Sequence, residues 1–181
     1  NRGDDAPANH VVVVTPLIRG QDGARKINAA QRHHQTDDAG QRNDGHVNGK
    51  AAVHGGGAGD DSLQGGQGSD TLEGGAGNDW ALYGENTLGV TVDLVAGTAS
   101  GNAGSDFLVA IENLQGGSAD DYLAGDGLAN ILDGGMGNDT LNGGAGNNTL
   151  IGGGGADLVV GGSGHDSIVT SAGSQVIGGA G

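Results

Sequence analysis

The chain has 181 residues, of which 42 are Gly and only four are aromatic, and its formal charge is −15. Apolar residues make up 34% of the sequence, too little bulky material for a conventional two-layer globular core. The glycines follow no strict three-residue period and Pro occurs twice, which excludes a collagen triple helix. No apolar run is long enough to cross a bilayer as a helix, and no Cys is present for disulfides or thiolate metal sites.

Residues 1–54 form a low-complexity segment rich in Gln, Asn, Asp, His and Arg. It shows neither helical periodicity nor sustained alternation beyond residues 11–18. Its histidines match no zinc-binding spacing. We therefore expect this segment to be a leader or linker that is poorly ordered.

The remainder of the chain has a one-sided charge. All seven Lys and Arg residues lie in the first 50 positions, whereas sixteen Asp and Glu residues lie from Gly55 onwards. Like charge at this density favours an expanded chain unless counter-charge arrives from outside. An acidic surface with few aromatics disfavours nucleic acid as a partner, so bound cations are the expected counter-charge.

A nine-residue repeat runs through two blocks of this acidic part. The first block, 55–82, contains GGAGDDSLQ, GGQGSDTLE and GGAGNDWAL in direct succession from Gly56. The second block, 116–181, contains six more units up to Val169, then loses the register and reads as truncated at its end. Composition alone would not maintain such a phase, so the repeat must reflect a repeated structure.

Each position of the repeat has a physical meaning. Position one is Gly in all nine units, position two in eight and position four in seven, as a tight reversal with close backbone approach requires. Position six is Asp in seven units and Asn in two, and position eight is always apolar. We expect positions one to six to form a turn and positions seven to nine a short strand whose position-eight side chain points inward.

These units resemble the Gly-Gly-x-Gly-x-Asp-x-apolar-x repeat of the RTX, or hemolysin-type, calcium-binding family. The resemblance implies an all-β fold, a parallel β-roll (right-handed β-solenoid) of glycine-rich nonapeptide repeats. Two units then make one coil of eighteen residues, so every second unit lies above its predecessor. It also implies several Ca²⁺ ions, each held between two stacked turns by position-six carboxylates and turn carbonyls.

The position-six residues and the turn glycines are the candidate ligands, because carboxylate and carbonyl oxygens suit Ca²⁺. Pairing every second unit predicts doubly acidic sites along Asp121, Asp139 and Asp157, and weak or empty ones on the opposite edge. In the first block Asp61 and Asp79 share a site, and Asp70 lacks a partner from a repeat. This mapping allows about five ions, one for each gap between paired units. The candidate metal ligands are Asp61, Asp70, Asp79, Asp121, Asp139, Asp157, Asp166, Gly56, Gly57, Gly59, Gly74, Gly75, Gly77, Gly134, Gly135, Gly137, Gly152, Gly153 and Gly155, with Asn130 and Asn148 as weaker ligands.

Residues 83–115 separate the two blocks. Val90, Val92 and Leu94 alternate with polar residues, and a second apolar run covers 107–111 after a loop rich in Gly, Ser and Asn. Both are strand candidates. We expect the insert to continue the roll with longer turns, and a flexible spacer between two independent rolls is the alternative.

The functional expectation follows from the resemblance. It implies an extracellular calcium-binding module that folds on binding Ca²⁺ outside the cell, as part of a larger secreted bacterial protein exported by type I secretion machinery. Such repeats accompany a covalently linked enzyme, toxin or adhesin domain. The sequence itself contains no His-Glu-x-x-His, no Gly-x-Ser-x-Gly and no Lys or Arg beyond position 50, so we expect no catalysis within it.

Two alternatives remain. An adhesive or ice-binding solenoid without a catalytic role would present a flat array of Thr, for which position seven is too irregular. An acidic, glycine-rich tail without a fold would gain no β signal in circular dichroism when Ca²⁺ is added.

Overall fold

A computed structural model describes residues 51–101 and 104–180, and in these ranges the chain consists of strands and turns. The expected all-β roll is confirmed. None of the described residues belongs to a helix that could span a membrane. The predicted leader lies outside the described residues except for its last four. The strands are β1 (Val53–Ala58), β2 (Ser62–Leu63), β3 (Thr71–Ala76), β4 (Trp80–Leu82), β5 (Val90–Asp93), β6 (Thr98–Gly101), β7 (Gly104–Val109), β8 (Asn113–Gln115), β9 (Tyr122–Ala124), β10 (Ile131–Asp133), β11 (Thr140–Asn142), β12 (Thr149–Ile151), β13 (Leu158–Ser163), β14 (Ser167–Val169) and β15 (Gln175–Ala180).

Successive repeat strands alternate between two sheets. Sheet A has nine strands in the order β1-β3-β7-β6-β5-β9-β11-β13-β15, and sheet B has six in the order β14-β12-β10-β8-β4-β2. In the second block Leu123 pairs with Leu141, which pairs with Val159, all in parallel register. Each step is eighteen residues, so the predicted two-unit coil is confirmed.

Apolar side chains from position eight of both sheets fill the space between them. Alternation along each strand sends these side chains inward. The last of them, Ile168, is only partly buried because it lies at the end of the roll. The final strand there, β15, is itself exposed, with Val176 51% exposed. The position-eight residues that are buried are Leu63, Leu72, Ala81, Leu123, Leu132, Leu141, Leu150 and Val159.

Strand pairing extends further than the repeat pattern predicts. β3 and β13 each run on through the Gly-Gly pair of the following unit, so the first positions of the turn are still extended. Close stacking is possible there only without side chains. Gly75 has a φ of +108°, and a Cβ on it would collide with the carbonyl oxygen of Gly57 in the neighbouring coil.

The insert contains two strands more than the sequence indicates, β6 and β8. The two predicted strands correspond to β5 and β7, but β6 lies in the segment expected to be a loop. β6 pairs antiparallel with both, and through β7 and β5 the three strands join β3 to β9. On the opposite side β8 alone joins β4 to β10. Sheet A therefore contains two strands, β5 and β6, that have no counterpart in sheet B.

Candidate metal centre

The position-six side chains form two columns, one along each edge of the roll, because coils of eighteen residues stack in register. Almost all members of both columns are buried, which is unusual for carboxylates. The insert contributes one member to each. The A column consists of Asp70, Asp106, Asp121, Asp139 and Asp157, and the B column of Asp61, Asp79, Glu112, Asn130, Asn148 and Asp166.

One hydrogen bond recurs in both columns. At seven positions the backbone N–H of a position-six residue donates to a side-chain oxygen of the column member in the next coil, whereas Asp121 Oδ1 accepts the N–H of Val90 in the insert. The recurring bond joins Asp61 N to Asp79 Oδ1 at 2.7 Å. It joins Asp139 N to Asp157 Oδ1 at 3.1 Å. Each of these acceptors is therefore fixed directly above the residue that donates to it.

The second carboxylate oxygen is left without a partner at several positions. The buried Oδ2 atom makes no hydrogen bond in four residues: Asp61, Asp70, Asp79 and Asp139. At Asp121, by contrast, Oδ2 accepts the N–H of Gly117 at 2.6 Å. A buried carboxylate without a partner is strongly unfavourable, so these oxygens require a counter-charge.

The position-one glycines show where a counter-charge would lie. A Cβ built on Gly56 would be 2.5 Å from Asp61 Oδ2 and 2.6 Å from the carbonyl oxygen of Gly74, one coil later. A Cβ on Gly134 would likewise be 2.5 Å from Asp139 Oδ2 and 2.8 Å from an equivalent carbonyl. A carboxylate and a carbonyl oxygen thus converge on a space that only Gly leaves open.

This donor set fits Ca²⁺, which takes oxygen ligands in flexible geometry. No three His, Asp or Glu side chains in the described ranges converge on one point. Turn carbonyls must therefore supply part of any coordination shell. Two gaps fit a cation best: the one between Asp61 and Asp79, where both residues have an unpartnered Oδ2, and the one between Asp139 and Asp157, where Asp139 has one.

The electrostatics of the columns agree with that fit. Burial raises the pKa of Asp139 to about 6, and the neighbouring Asp121 and Asp157 carboxylates add to the rise, although the hydrogen bond from the Asp121 N–H opposes it. Burial also raises the pKa of Asp79, with Glu112 and Asp61 adding to the effect. The charged forms are therefore disfavoured until a cation neutralises them.

The amides of the B column close their gaps differently. Asn130 Nδ2 donates to the carbonyl oxygen of Glu112 at 2.9 Å. Asn148 Nδ2 lies 3.4 Å from the carbonyl oxygen of Ala145 in its own turn. An amide brings its own donors, so these gaps carry neither the charge nor the unpartnered oxygen of a carboxylate pair.

The last members of the columns lie at the end of the roll. Ser174 Oγ accepts the Asp157 N–H at 3.0 Å and donates to Asp157 Oδ2 at 3.1 Å, so a hydroxyl follows Asp157 in the A column. Asp166 Oδ1 accepts the Asn148 N–H at 2.9 Å. Asp157 and Asp166 therefore have no carboxylate above them among the described residues.

The predicted turn glycines surround the gaps in two ways. Gly56, Gly74, Gly134 and Gly152 border a carboxylate Oδ2. The others have the positive φ that glycine adopts readily. They are Gly57, Gly59, Gly75, Gly77, Gly135, Gly137, Gly153 and Gly155.

Sequence reasoning missed two acidic residues. Asp106 Oδ1 accepts the Asp70 N–H at 2.9 Å, so Asp70 has a partner above it from the insert. Glu112 Oε2 accepts the Asp79 N–H at 2.8 Å. Asp106 keeps the ninefold phase of the first block and Glu112 that of the second, although neither belongs to a unit with all the turn glycines, and each begins an acid-x-Leu triplet that matches positions six to eight of the repeat. That triplet is the signal that could have revealed them.

A second hydrogen-bond ladder involves position five, to which the sequence assigned no role. Asp120 Oδ1 accepts the Asn138 N–H at 2.7 Å, and Asn138 Oδ1 accepts the Ala156 N–H at 2.9 Å. Asp60 and Asn147 accept from the units one coil later in the same manner. These bonds run in the opposite direction to those at position six and lie on the exposed rim, where they join turns without a cation.

Comparison with known proteins agrees with this geometry. The family model described as RTX calcium-binding nonapeptide repeat (4 copies) matches residues 55–85, 111–141 and 133–168. A search of curated protein sequences finds no match. Among solved structures, the extracellular lipase LipA from Serratia marcescens is similar with a TM-score of 0.21 and 19% identity, over 72% of this chain and 31% of the lipase chain. The chain thus spans less than a third of that lipase.

The matched residues include the position-six residues of both repeat blocks and Glu112 of the insert. Through the repeats within residues 55–168, the chain belongs to the RTX calcium-binding nonapeptide repeat family.

Proposed function

We propose that this chain is a folding module that orders when Ca²⁺ enters the gaps between its stacked turns. The observation that carries the proposal is the set of buried Oδ2 atoms of Asp61, Asp79 and Asp139, which lack any hydrogen-bond partner. Each of them faces a carbonyl of the neighbouring coil or of the insert. Ca²⁺ in such a gap neutralises the carboxylates and joins two coils at once.

The charge of the chain supports this dependence on a cation. From Gly55 onwards there are sixteen acidic residues and no Lys or Arg. Without bound cations, repulsion along the columns opposes closure of the roll. The folded state then gains stability with the logarithm of the free Ca²⁺ concentration once this exceeds the dissociation constant.

The proposal extends to where the module works. Extracellular calcium modules bind with dissociation constants of about 10⁻⁴–10⁻³ M, so a chain of this kind is unfolded in calcium-poor cytoplasm and folds after export. We infer that it is a structural part of a larger secreted bacterial protein that uses type I secretion machinery, with any enzyme, toxin or adhesin activity in a linked domain.

The test is the response of the purified chain to Ca²⁺. We expect β-sheet circular dichroism and protease resistance in millimolar Ca²⁺, and loss of both after EGTA treatment. Mg²⁺ at the same concentration should not substitute, because it demands near-ideal octahedral geometry and retains its waters. A chain that remains compact and equally heat-resistant after exhaustive EGTA treatment would contradict the proposal.

A further inference from the structure

The junction between the first repeat block and the insert contains an unexplained buried oxygen. Asp79 is completely buried, and its Oδ2 has no hydrogen-bond partner. The lower neighbour of Asp79 in the B column is Asp61, whose N–H donates to Asp79 Oδ1. Asp79 Oδ2 faces the other way, towards the insert.

The insert places two oxygens around that atom. Glu112 Oε2 accepts the Asp79 N–H at 2.8 Å. A Cβ built on Gly74 would be 2.6 Å from Asp79 Oδ2 and would collide with the carbonyl oxygen of Ala110. The carboxylate oxygen and the carbonyl therefore lie against the same side of Gly74, where only glycine leaves room for both, as they do at Gly56 between two repeat turns.

The turn that supplies these oxygens is not a nonapeptide turn. Glu73 pairs with Val109 and Trp80 pairs with Asn113, so three residues of the insert lie opposite the six of a repeat turn. Glu has one methylene more than Asp, which compensates for the shorter turn. Ala110 has a φ of +50°, and it is the one non-glycine residue with positive φ in the described ranges. Such a conformation is unfavourable for a residue with a side chain and persists only where its surroundings hold it.

The other junction of the insert lacks these features. Asp70 and Asp106 are stacked in the A column, but Asp106 Oδ2 accepts the Tyr83 hydroxyl at 3.2 Å. The atoms nearest a Cβ on Gly65 all belong to Asp70, with no carbonyl from the insert among them. Asp70 Oδ2 is also buried and unpartnered, but here the upper carboxylate is held by a buried hydroxyl and no insert carbonyl lies beside the free oxygen.

We propose that Asp79, Glu112 and the carbonyl oxygen of Ala110 form a binding site for a divalent cation of the Ca²⁺ type, one that the nonapeptide pattern does not contain. The site rests on the proposed function, because it uses the same kind of gap as the repeats. It differs from them in drawing two of its three oxygens from the insert.

Trp80 provides a local probe. It is the single Trp of the chain and directly follows Asp79, so Tb³⁺ bound beside Asp79 should emit when Trp80 is excited. We would titrate Tb³⁺ and count Ca²⁺ by equilibrium dialysis for the wild type, E112Q, D61N and the double variant. E73Q, at an exposed Glu of the same region, is the matched control.

We expect E112Q to bind one Ca²⁺ fewer than the wild type and to lose part of the Trp80-sensitised emission. D61N should lose the remaining part of this emission, and the double variant nearly all of the emission. E73Q should match the wild type. An unchanged ion count and emission in E112Q, with the loss in D61N intact, would overturn this site and leave the proposed function standing. A wild type that binds no ion would overturn both.

The variant E112D distinguishes loss of the cation site from a folding defect in E112Q. It retains the charge but is shorter by the methylene that compensates for the three-residue turn. We expect it to keep the β signal in saturating Ca²⁺ and to bind the ion at this site at least tenfold more weakly. Wild-type affinity in E112D, with an unaltered ion count, would show that Glu112 does not reach the cation.

Discussion

The two edges of the second repeat block have the same backbone and different chemistry. In both columns the N–H of one coil donates to the position-six side chain of the next. The A column places Asp139 there, with a raised pKa and an unpartnered Oδ2. The B column places Asn130 and Asn148, whose amide nitrogens donate to nearby carbonyls. One carboxylate-to-amide exchange therefore separates an edge that needs a cation from one that closes unaided.

The strongest way to break this comparison is to give the A column an amide. Asp139 contributes Oδ1 to the gap below it and Oδ2 to the gap above, so D139N should weaken binding in both gaps. Hydrogen bonds to charged groups contribute about 1.5–3 kcal/mol, which corresponds to roughly 10- to 150-fold in Ca²⁺ affinity. Isothermal titration calorimetry measures this loss.

The matched control for D139N is D120N, which removes the same charge from the exposed rim of the preceding coil. The Asp120 side chain lies outside the gap, so we expect Ca²⁺ affinity within a few-fold of the wild type. Equal losses in both variants would show that overall charge, not the position in the column, decides binding.

The reverse exchange sharpens the comparison. N148D places a carboxylate below Asp166 in the B column, where Asn148 N–H already donates to Asp166 Oδ1. We expect one additional Ca²⁺ in equilibrium dialysis. Without Ca²⁺ the roll should be less stable than the wild type by about 1–3 kcal/mol, the cost of leaving a buried polar group unsatisfied. An unaltered ion count would mean that the B edge excludes cations for a reason other than its amides.

Acid should reduce the difference between the edges. The pKa of Asp139 in the folded chain, about 6, lies above its ordinary value of about 3.9, and the pKa values of Asp79, Asp106 and Asp121 shift in the same direction. The folded state therefore binds more protons than the unfolded state. This contribution to calcium-free stability is complete below about pH 3.9 and is lost as the pH rises through about 6.

We thus expect the calcium-free roll to become less stable between about pH 4 and 6, while Ca²⁺ affinity rises over the same window as protons are released. The β-sheet circular dichroism of the EGTA-treated chain across this range checks the sign, because the fraction of folded chain follows this stability. Calcium-free stability that increases with pH would contradict it.

The smallest expected effect concerns the exposed ladder at position five. N138A removes the acceptor of the Ala156 N–H and a 3.3 Å contact from Nδ2 to Asp120. We expect a loss of about 0.5–1.5 kcal/mol in the free energy of unfolding, equal with and without Ca²⁺, because no gap is altered. A loss that appears only in Ca²⁺ would place Asn138 in the metal site.

The repeats made much of the fold predictable. Once Leu141 and Asp139 are assigned to positions eight and six, strand alternation and the eighteen-residue coil place one in the core and the other beneath Asp157. The role of Asn130 and Asn148 was predicted only as weak binding. Their amide donors satisfy carbonyls whose positions depend on the folded turn, and a sequence does not show those positions.

The insert was predictable only in part, because the ninefold phase shifts within it. Asp106 stacks on Asp70 across 36 residues, twice the eighteen-residue step, whereas Glu112 stacks on Asp79 across 33, which is no multiple of nine. β6 consists of Thr, Ala, Ser and Gly and lacks the bulky residues that signal a strand. It forms because β5 and β7 offer it hydrogen bonds on both sides.

The unequal number of strands in the two sheets has a geometrical consequence. Neighbouring strands are about 4.8 Å apart, so β5 and β6 lengthen sheet A by roughly 10 Å relative to sheet B at one level of the roll. Sheets A and B cannot both remain straight at this level. We therefore expect the solenoid to curve there, with sheet A on the convex side. Tyr83 and Ile111, both buried, supply bulk to the core at this level. Chain segments attached to the two repeat blocks would then leave along axes that diverge.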